Sequence, residues 1–243
     1  MEKTSGLFYE ILAKWYDEIF PLSEELKGFV THWLRDNTTV LDIGSATGEL
    51  ASFLGSKEEV SRVVALDLDP AMVLQAREKT RNNPKIEVKQ MDMMAIGDLG
   101  EAFHLITCLG NTLVHLDSYE SIQKFCRLCY GALKPQGRLI IQILHYDTLV
   151  HRKVESLPLI ESEHCIFERF YAYHGKRVEF RGCLLDKSLQ KSYESRLWLY
   201  PLEKDELLFC FDGLDVRIDL YGDFSFTPLF ADSPLLVAVV ERV

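Results

Sequence analysis

Val40-Leu41-Asp42-Ile43-Gly44-Ser45-Ala46-Thr47-Gly48 is the stretch that decides how this chain folds. A β-branched, apolar run carries an acid near its end, meets a turn with two glycines, and passes into a helix from about Gly48. Glycine tolerates positive φ and lets a ligand approach the backbone closely. Asp67 follows at the end of a second apolar run, Arg62–Leu66, where an acid can accept hydrogen bonds from both hydroxyls of a ribose. Asp92 follows a third run, Lys85–Lys89, and can face an adenine amino group. Singly, Gly44 and Gly48 suit ordinary turns, Asp67 a helix cap and Asp92 a solvated loop. Jointly, the spacing points to a nucleotide-like ligand. Asp69, just before Pro70, is better placed than Asp67 to cap the next helix.

The order of residues separates two such ligands. A dinucleotide fingerprint needs Gly-x-Gly-x-x-Gly, so that helix N–H groups meet a pyrophosphate. Here the order is Gly44-x-Ala46-x-Gly48 with Asp42 beside it. A carboxylate at the turn suits a ligand with a cationic or amine-bearing portion. No Gly-Lys-Ser/Thr follows the turn, which excludes a P-loop.

Outward from this turn, strands and helices alternate. Thr39–Ile43, Arg62–Leu66, Lys85–Lys89, Phe103–Cys108 and Arg138–Leu144 read as strands, with a helix over Ser118–Leu133 that Pro135 and Gly137 end. Such alternation predicts a parallel sheet with helices on both faces. Upstream, Leu7, Ile11, Leu12, Trp15 and Ile19 recur at helical spacing, and Ser23 caps a second helix reaching about Arg35. After about residue 150, Cys165–Tyr173, Arg177–Leu185 and Ser192–Leu199 read as strands without intervening helices, which predicts a small antiparallel insertion. A helix over Glu203–Phe211 and strands Asp215–Tyr221 and Leu235–Glu241 complete the chain.

Composition narrows the function. The 243 residues hold 27 Lys and Arg against 37 Asp and Glu, a net charge of −10. That balance repels nucleic acid and anionic membranes at long range. No apolar run approaches the ~20 residues needed to span a bilayer. Charged residues from Glu2 to Glu18 interrupt any signal-peptide core. Six scattered cysteines are too few for a disulfide scaffold, so the cytoplasm is the expected compartment. Cys126-x-x-Cys129 lies within a helix and lacks a second pair, so no metal is expected.

These motifs resemble those of class I S-adenosylmethionine-dependent methyltransferases, strongly over residues 38–146. Leu41–Gly48 resembles that family's first motif, Leu66–Met72 its second-strand motif, Gln90–Met93 its adenine motif, and Leu133–Leu139 the turn before strand 5. Ala46 stands where the family more often has Gly. The resemblance implies S-adenosylmethionine as cofactor, held by Asp42, Gly44, Ser45, Ala46, Gly48, Asp67, Leu68, Asp92 and Met93. Tyr9-x-x-Leu12-Ala13-x-x-Tyr16-Asp17, Gly110–Leu116 and Ile141–Asp147 are similar to small-molecule N-methyltransferases of the glycine/sarcosine type. That similarity implies an N-terminal helical lid carrying Tyr16 toward the cofactor, with Leu109 and Asn111 lining the cleft. Family members often have Asn where His145 stands.

The implied fold is α/β: a doubly wound, mostly parallel, seven-stranded Rossmann-like sheet, with a helical lid and an antiparallel β insertion after strand 5. The chain is one methyltransferase domain over 1–243. It comprises a lid (1–36), a cofactor-binding core (37–148), the insertion (149–200), and a closing helix with the last two strands (201–243).

Methyl transfer from a sulfonium is an in-line displacement. The protein has mainly to position the acceptor and exclude water, effects that supply ~7–11 kcal/mol in favourable cases. A base is needed only for an acceptor that arrives protonated. The catalytic candidates are His115, His145, Tyr146 and Arg169, the last as a bidentate partner for a substrate carboxylate. Each also has a plain structural reading: the histidines as satisfied structural groups, Arg169 as a surface or paired arginine. The expected partner is a small-molecule methyl acceptor, with no nucleic acid and no membrane; a homodimer is left open. The competing function is a non-catalytic S-adenosylmethionine-binding module or partner subunit.

Overall fold

The computed structural model describes residues 2–243, with side chains from residue 7 onward. Eleven strands form two sheets among the described residues. The larger contains β1 (Thr38–Ile43), β2 (Val60–Asp67), β3 (Ile86–Gln90), β4 (Phe103–Cys108), β5 (Leu133–Leu144), β10 (Val216–Tyr221) and β11 (Leu235–Arg242), in the order β10-β11-β5-β4-β1-β2-β3. Strands β1 to β5 pair in parallel, and β11 runs antiparallel between β5 and β10. The smaller sheet is an antiparallel meander of β6 (Ser156–Glu161), β7 (Cys165–His174), β8 (Arg177–Asp186) and β9 (Lys191–Leu199).

The central strands read as continuous apolar runs because both faces are covered. Leu41, Ile43, Leu66 and Ile141 face a core built with α5 (Tyr119–Ala132), which presents Ile122, Phe125, Cys126 and Cys129. Val40, Val63, Leu105 and Ile140 face the opposite core, closed by α2 (Glu24–Thr31) and α3 (Glu49–Gly55) through Phe29, Val30, Leu50 and Leu54. The chain proceeds from β1 through β2 to β3, then returns to the other side of β1 as β4. That reversal opens a crevice at the carboxyl ends of β1 and β4, the place where such sheets bind ligands.

Helix α1 (Glu2–Ile19) lies over this crevice and packs on the meander. Phe8, Leu12 and Ile19 are buried with Cys165, Phe167, Leu184 and Tyr193. Gly182 makes room for it, because a Cβ there would stand 3.1 Å from the Phe8 ring.

The structure differs from the sequence reading in four places. Helix α2 ends at Thr31 rather than near Arg35, because Trp33 N–H and Leu34 N–H bond back only three residues and the chain winds down. Strand β5 begins at Leu133, since Leu133 pairs with Phe103 and the Pro135–Gly137 stretch bulges within the strand. Strand β6 contains Pro158, which an edge strand tolerates because one row of its N–H groups needs no partner. Tyr146–Arg152 forms a short helix, α6. Among the described residues no helix is long and apolar enough to cross a membrane.

Candidate active site

Strand β1 delivers Asp42 to the crevice almost fully buried. Its Oδ1 accepts from Thr107 Oγ1 at 2.7 Å, and its Oδ2 has no partner. Burial pushes the Asp42 pKa up to about 6, with the neighbouring Asp67 charge adding to it and the Thr107 hydroxyl opposing. A buried carboxylate with one bare oxygen is a ready counter-charge for a cation.

The turn beyond it is left-handed at three positions: Gly44 at φ +68°, Ala46 at +46° and Gly48 at +75°. A Cβ on Gly44 would stand 2.5 Å from the Thr112 side chain, in the loop after β4. Gly48 precedes α3, and a Cβ there would stand 2.9 Å from Ala76 Cβ on α4 (Pro70–Thr80). Ser45 N–H is held by the Leu66 carbonyl at 2.8 Å, while its buried hydroxyl has no partner.

Asp67, at the end of β2, accepts from Ala46 N–H at 2.8 Å through Oδ2 and from Asp69 N–H at 2.9 Å through Oδ1. Asp69 does cap α4, accepting from Ala71 and Met72 N–H. Asp67 is therefore not free of structural duties, as the sequence reading held, yet each oxygen retains a lone pair. Leu68, beside it, is 65% exposed and offers an apolar surface. Asp92 is exposed and caps the 3-10 helix Met93–Leu99 by accepting from Met94 N–H at 2.8 Å; Met93 is half-buried.

From above, α1 brings Tyr9 and Tyr16 to the same acids. Burial raises the Tyr9 phenol to about 12, with the charges of Asp69 and Asp67 adding to it. Burial raises the Tyr16 phenol further, with the charges of Asp67, Asp17 and Asp42 adding to it in that order.

The acceptor-side candidates separate. The loop after β4 turns through Gly110 and Asn111, both left-handed. Asn111 Oδ1 accepts from Leu144 N–H at 3.1 Å, and its Nδ2 donates to Tyr146 Oη at 3.1 Å. It joins β4 to β5 rather than projecting freely from the cleft wall. Leu109 is half-buried, and its carbonyl accepts from Thr112 Oγ1 at 2.7 Å. His115 is exposed at the end of the turn after β4, and partial desolvation lowers its pKa. Tyr146 is fully buried, burial pushes its phenol up, and its hydroxyl accepts from Asn111 Nδ2.

His145 takes the structural reading that the sequence also offered, buried with both ring nitrogens near partners. Its Nδ1 lies 3.0 Å from the Ser233 carbonyl and its Nε2 3.5 Å from Asp147 Oδ2, so the ring ties α6 to the segment before β11. Arg169, opposite Gly182 on β7, lies on the same face as Phe167, which packs under α1, and Tyr171, which joins the main core. One guanidinium nitrogen donates to the Pro158 carbonyl at 3.0 Å, and the buried Nε has no partner. Burial lowers its pKa with no carboxylate to restore it.

Thr107 completes this geometry and was not singled out from the sequence, and Gly110 and Thr112 entered there only as part of a longer motif. Of these, only the positive φ at Gly110 has a local signal, as the glycine in a Gly-Asn turn. Among the described residues no cluster of His, Cys, Asp and Glu could hold a metal ion.

The bare Asp42 and Ser45 oxygens, the glycine-tight turn and the acid after β2 fit an adenosyl ligand with a positive charge. Residues 40–137 match the family described as Methyltransferase domain. The chain carries an S-adenosylmethionine-dependent methyltransferase domain, and S-adenosylmethionine is its methyl donor. It is 28% identical over 218 residues to a glycine/sarcosine N-methyltransferase of Halorhodospira halochloris, covering 86% of this chain and 76% of that one. The fold matches an S-adenosylmethionine-dependent methyltransferase from Clostridium acetobutylicum ATCC 824 with a TM-score of 0.83, at 16% identity over 97% of this chain and 99% of that one. It also matches the S-adenosylmethionine-bound amino pentose methyltransferase CalS10 from Micromonospora echinaspora with a TM-score of 0.72, at 20% identity over 96% and 97% of the two chains.

Proposed function

We propose that the acceptor is a small amine carrying a carboxylate, and that methyl transfer is to its nitrogen. The observation that carries this reading is Arg169, a half-buried cation with an unpartnered Nε on the inner face of the meander. A planar guanidinium in that state favours a bidentate carboxylate. The glycine/sarcosine N-methyltransferase relative supports the same class.

In this reading Asp67 and Asp92 hold the ribose and adenine, Leu68 and Met93 flank the base, and Gly44, Ser45, Ala46 and Gly48 shape the turn. Leu109 and Asn111 wall the cleft, Tyr16 closes it from above and Asp42 answers the positive charge. When bound, S-adenosylmethionine supplies a methyl group already activated by its sulfonium. Arg169 aligns the acceptor through its carboxylate. His115, on the loop after β4, takes the ammonium proton so that the nitrogen lone pair is free to attack in line. The bound donor would supply the methyl carbon, the C–N bond forming as the C–S bond breaks with its electron pair leaving on sulfur.

The test is product formation from labelled cofactor with glycine, sarcosine and matched amines lacking the carboxylate. Arg169→Leu is expected to raise KM about tenfold or more for the carboxylate acceptors alone, the loss of a charged hydrogen-bonded pair. Equal turnover of amines with and without the carboxylate, unchanged by Arg169→Leu, would overturn the assignment.

A further inference from the structure

Helix α1 is attached unequally to the two bodies it lies between. On the meander side it has Trp15 Nε1 donating to Asp186 Oδ2 at 3.2 Å, the Trp15 ring stacked on His164 at 4.5 Å, and Glu18 paired with His164 at 2.8 Å. Its apolar face is buried there as well. On the core side, among the described residues, the polar attachment is Asp17. One carboxylate oxygen accepts from Thr47 Oγ1 in the glycine turn at 2.5 Å, and the other from Lys79 Nζ on α4 at 2.5 Å. The same ammonium donates to Glu49 Oε2 at 2.6 Å, at the start of α3. Two carboxylates from different elements thus share one cation.

We propose that Asp17 is a positioning residue for the methyl donor: it latches α1 onto the glycine turn, setting Tyr16 over the crevice, and Lys79 is the charge that makes the latch attractive. This rests on the reading of the crevice as the donor site. A ligand lying beneath Tyr16 must enter before the latch closes, so latch strength enters its affinity.

The shared cation sets a definite order of effects. Asp17→Asn breaks the charged contact but also removes a negative charge beside Glu49. Lys79→Met leaves Asp17 and Glu49 adjacent without their cation, so the latch becomes repulsive. Lys79→Met is therefore worse than Asp17→Asn, and Asp17→Asn added to Lys79→Met restores function. Lys79→Arg keeps the charge and stays near wild type.

Two readouts test this. Hydrogen exchange of the unliganded protein follows the amides of residues 7–19, and calorimetry follows binding of S-adenosylhomocysteine. Both half-exposed pairs are screened, so Asp17→Asn is expected to speed α1 exchange and weaken binding by about threefold, and Lys79→Met by about tenfold. The double variant is expected to return to the Asp17→Asn level. Unchanged α1 exchange in Lys79→Met would overturn the latch. So would additive losses in the double variant, or faster exchange spread evenly into β1 and β4, which marks general destabilisation. Absence of binding in the wild-type protein would overturn the donor site instead.

Discussion

Ala46 N–H donates to Asp67 Oδ2 at 2.8 Å, joining the glycine turn after β1 to the end of β2. The residue that is to hold the ribose therefore also shapes the turn that receives the rest of the ligand. Asp67→Ala leaves the N–H groups of Ala46 and Asp69 without their acceptor and removes the ribose acceptor as well. Donor affinity is expected to fall by ~1–3 kcal/mol, roughly 5- to 150-fold in Kd, as charged hydrogen bonds are lost. Calorimetry with S-adenosylhomocysteine checks it.

Ala46 itself is a non-glycine residue at φ +46°, a region where a Cβ costs roughly 1–2 kcal/mol. Ala46→Gly relieves that strain and keeps the N–H that Asp67 accepts. Unfolding in urea is expected to show stability unchanged or raised by up to about 1 kcal/mol, the greater freedom of glycine in the unfolded chain offsetting part of the gain. A loss of stability would show that the methyl group is packed usefully.

Gly44 and Thr112 form a tight pair across the crevice. Gly44→Ala puts a Cβ 2.5 Å from both Cγ2 and Oγ1 of Thr112, in a left-handed conformation. The expected loss is about 2–4 kcal/mol, combining backbone strain with overpacking. Adding Thr112→Ala removes the two nearest atoms but not the strain, so the double variant is expected to recover part of the loss. Thermal melts of the three variants decide it.

Asp42 makes stability depend on pH. Its folded pKa, about 6, lies above the ordinary 3.8, so the folded state binds the proton more tightly. Its contribution is complete below about pH 4 and is lost as pH rises through 6, a swing of about 3 kcal/mol for a shift of this size. The difference in unfolding free energy between the unliganded wild type and Asp42→Asn is expected to show that slope between pH 4 and 7. A cationic ligand favours the ionised form, so donor affinity is expected to rise over the same range in the wild type and to stay flat in the variant.

The cofactor half of the site was legible because its signals are local. A run such as Val40–Ile43 followed by Gly44 and Gly48 announces a buried strand and a turn within nine residues, while Asp67 ends the next strand and Asp92 follows the one after by two residues. The acceptor half was not. His145 and His115 look alike in sequence, each following a strand of the sheet, yet one is buried and tied to Ser233 and the other is exposed. Asn111, read from the sequence as a cleft residue, also braces β4 to β5 through Leu144 N–H and Tyr146.

The order of apolar runs, glycines and acids was enough to establish the alternating α/β core and to point to a nucleotide-like ligand with a cationic portion. Those follow from backbone preference and burial, which act over a few residues. The roof over the crevice was decided by packing. Arg169 faces inward because Phe167 and Tyr171 on its side of β7 are buried, and Asp17 reaches Thr47 and Lys79 because Phe8, Leu12 and Ile19 seat α1 on the meander. Contacts between residues so far apart in the chain depend on how whole elements are docked, and no local pattern encodes that docking.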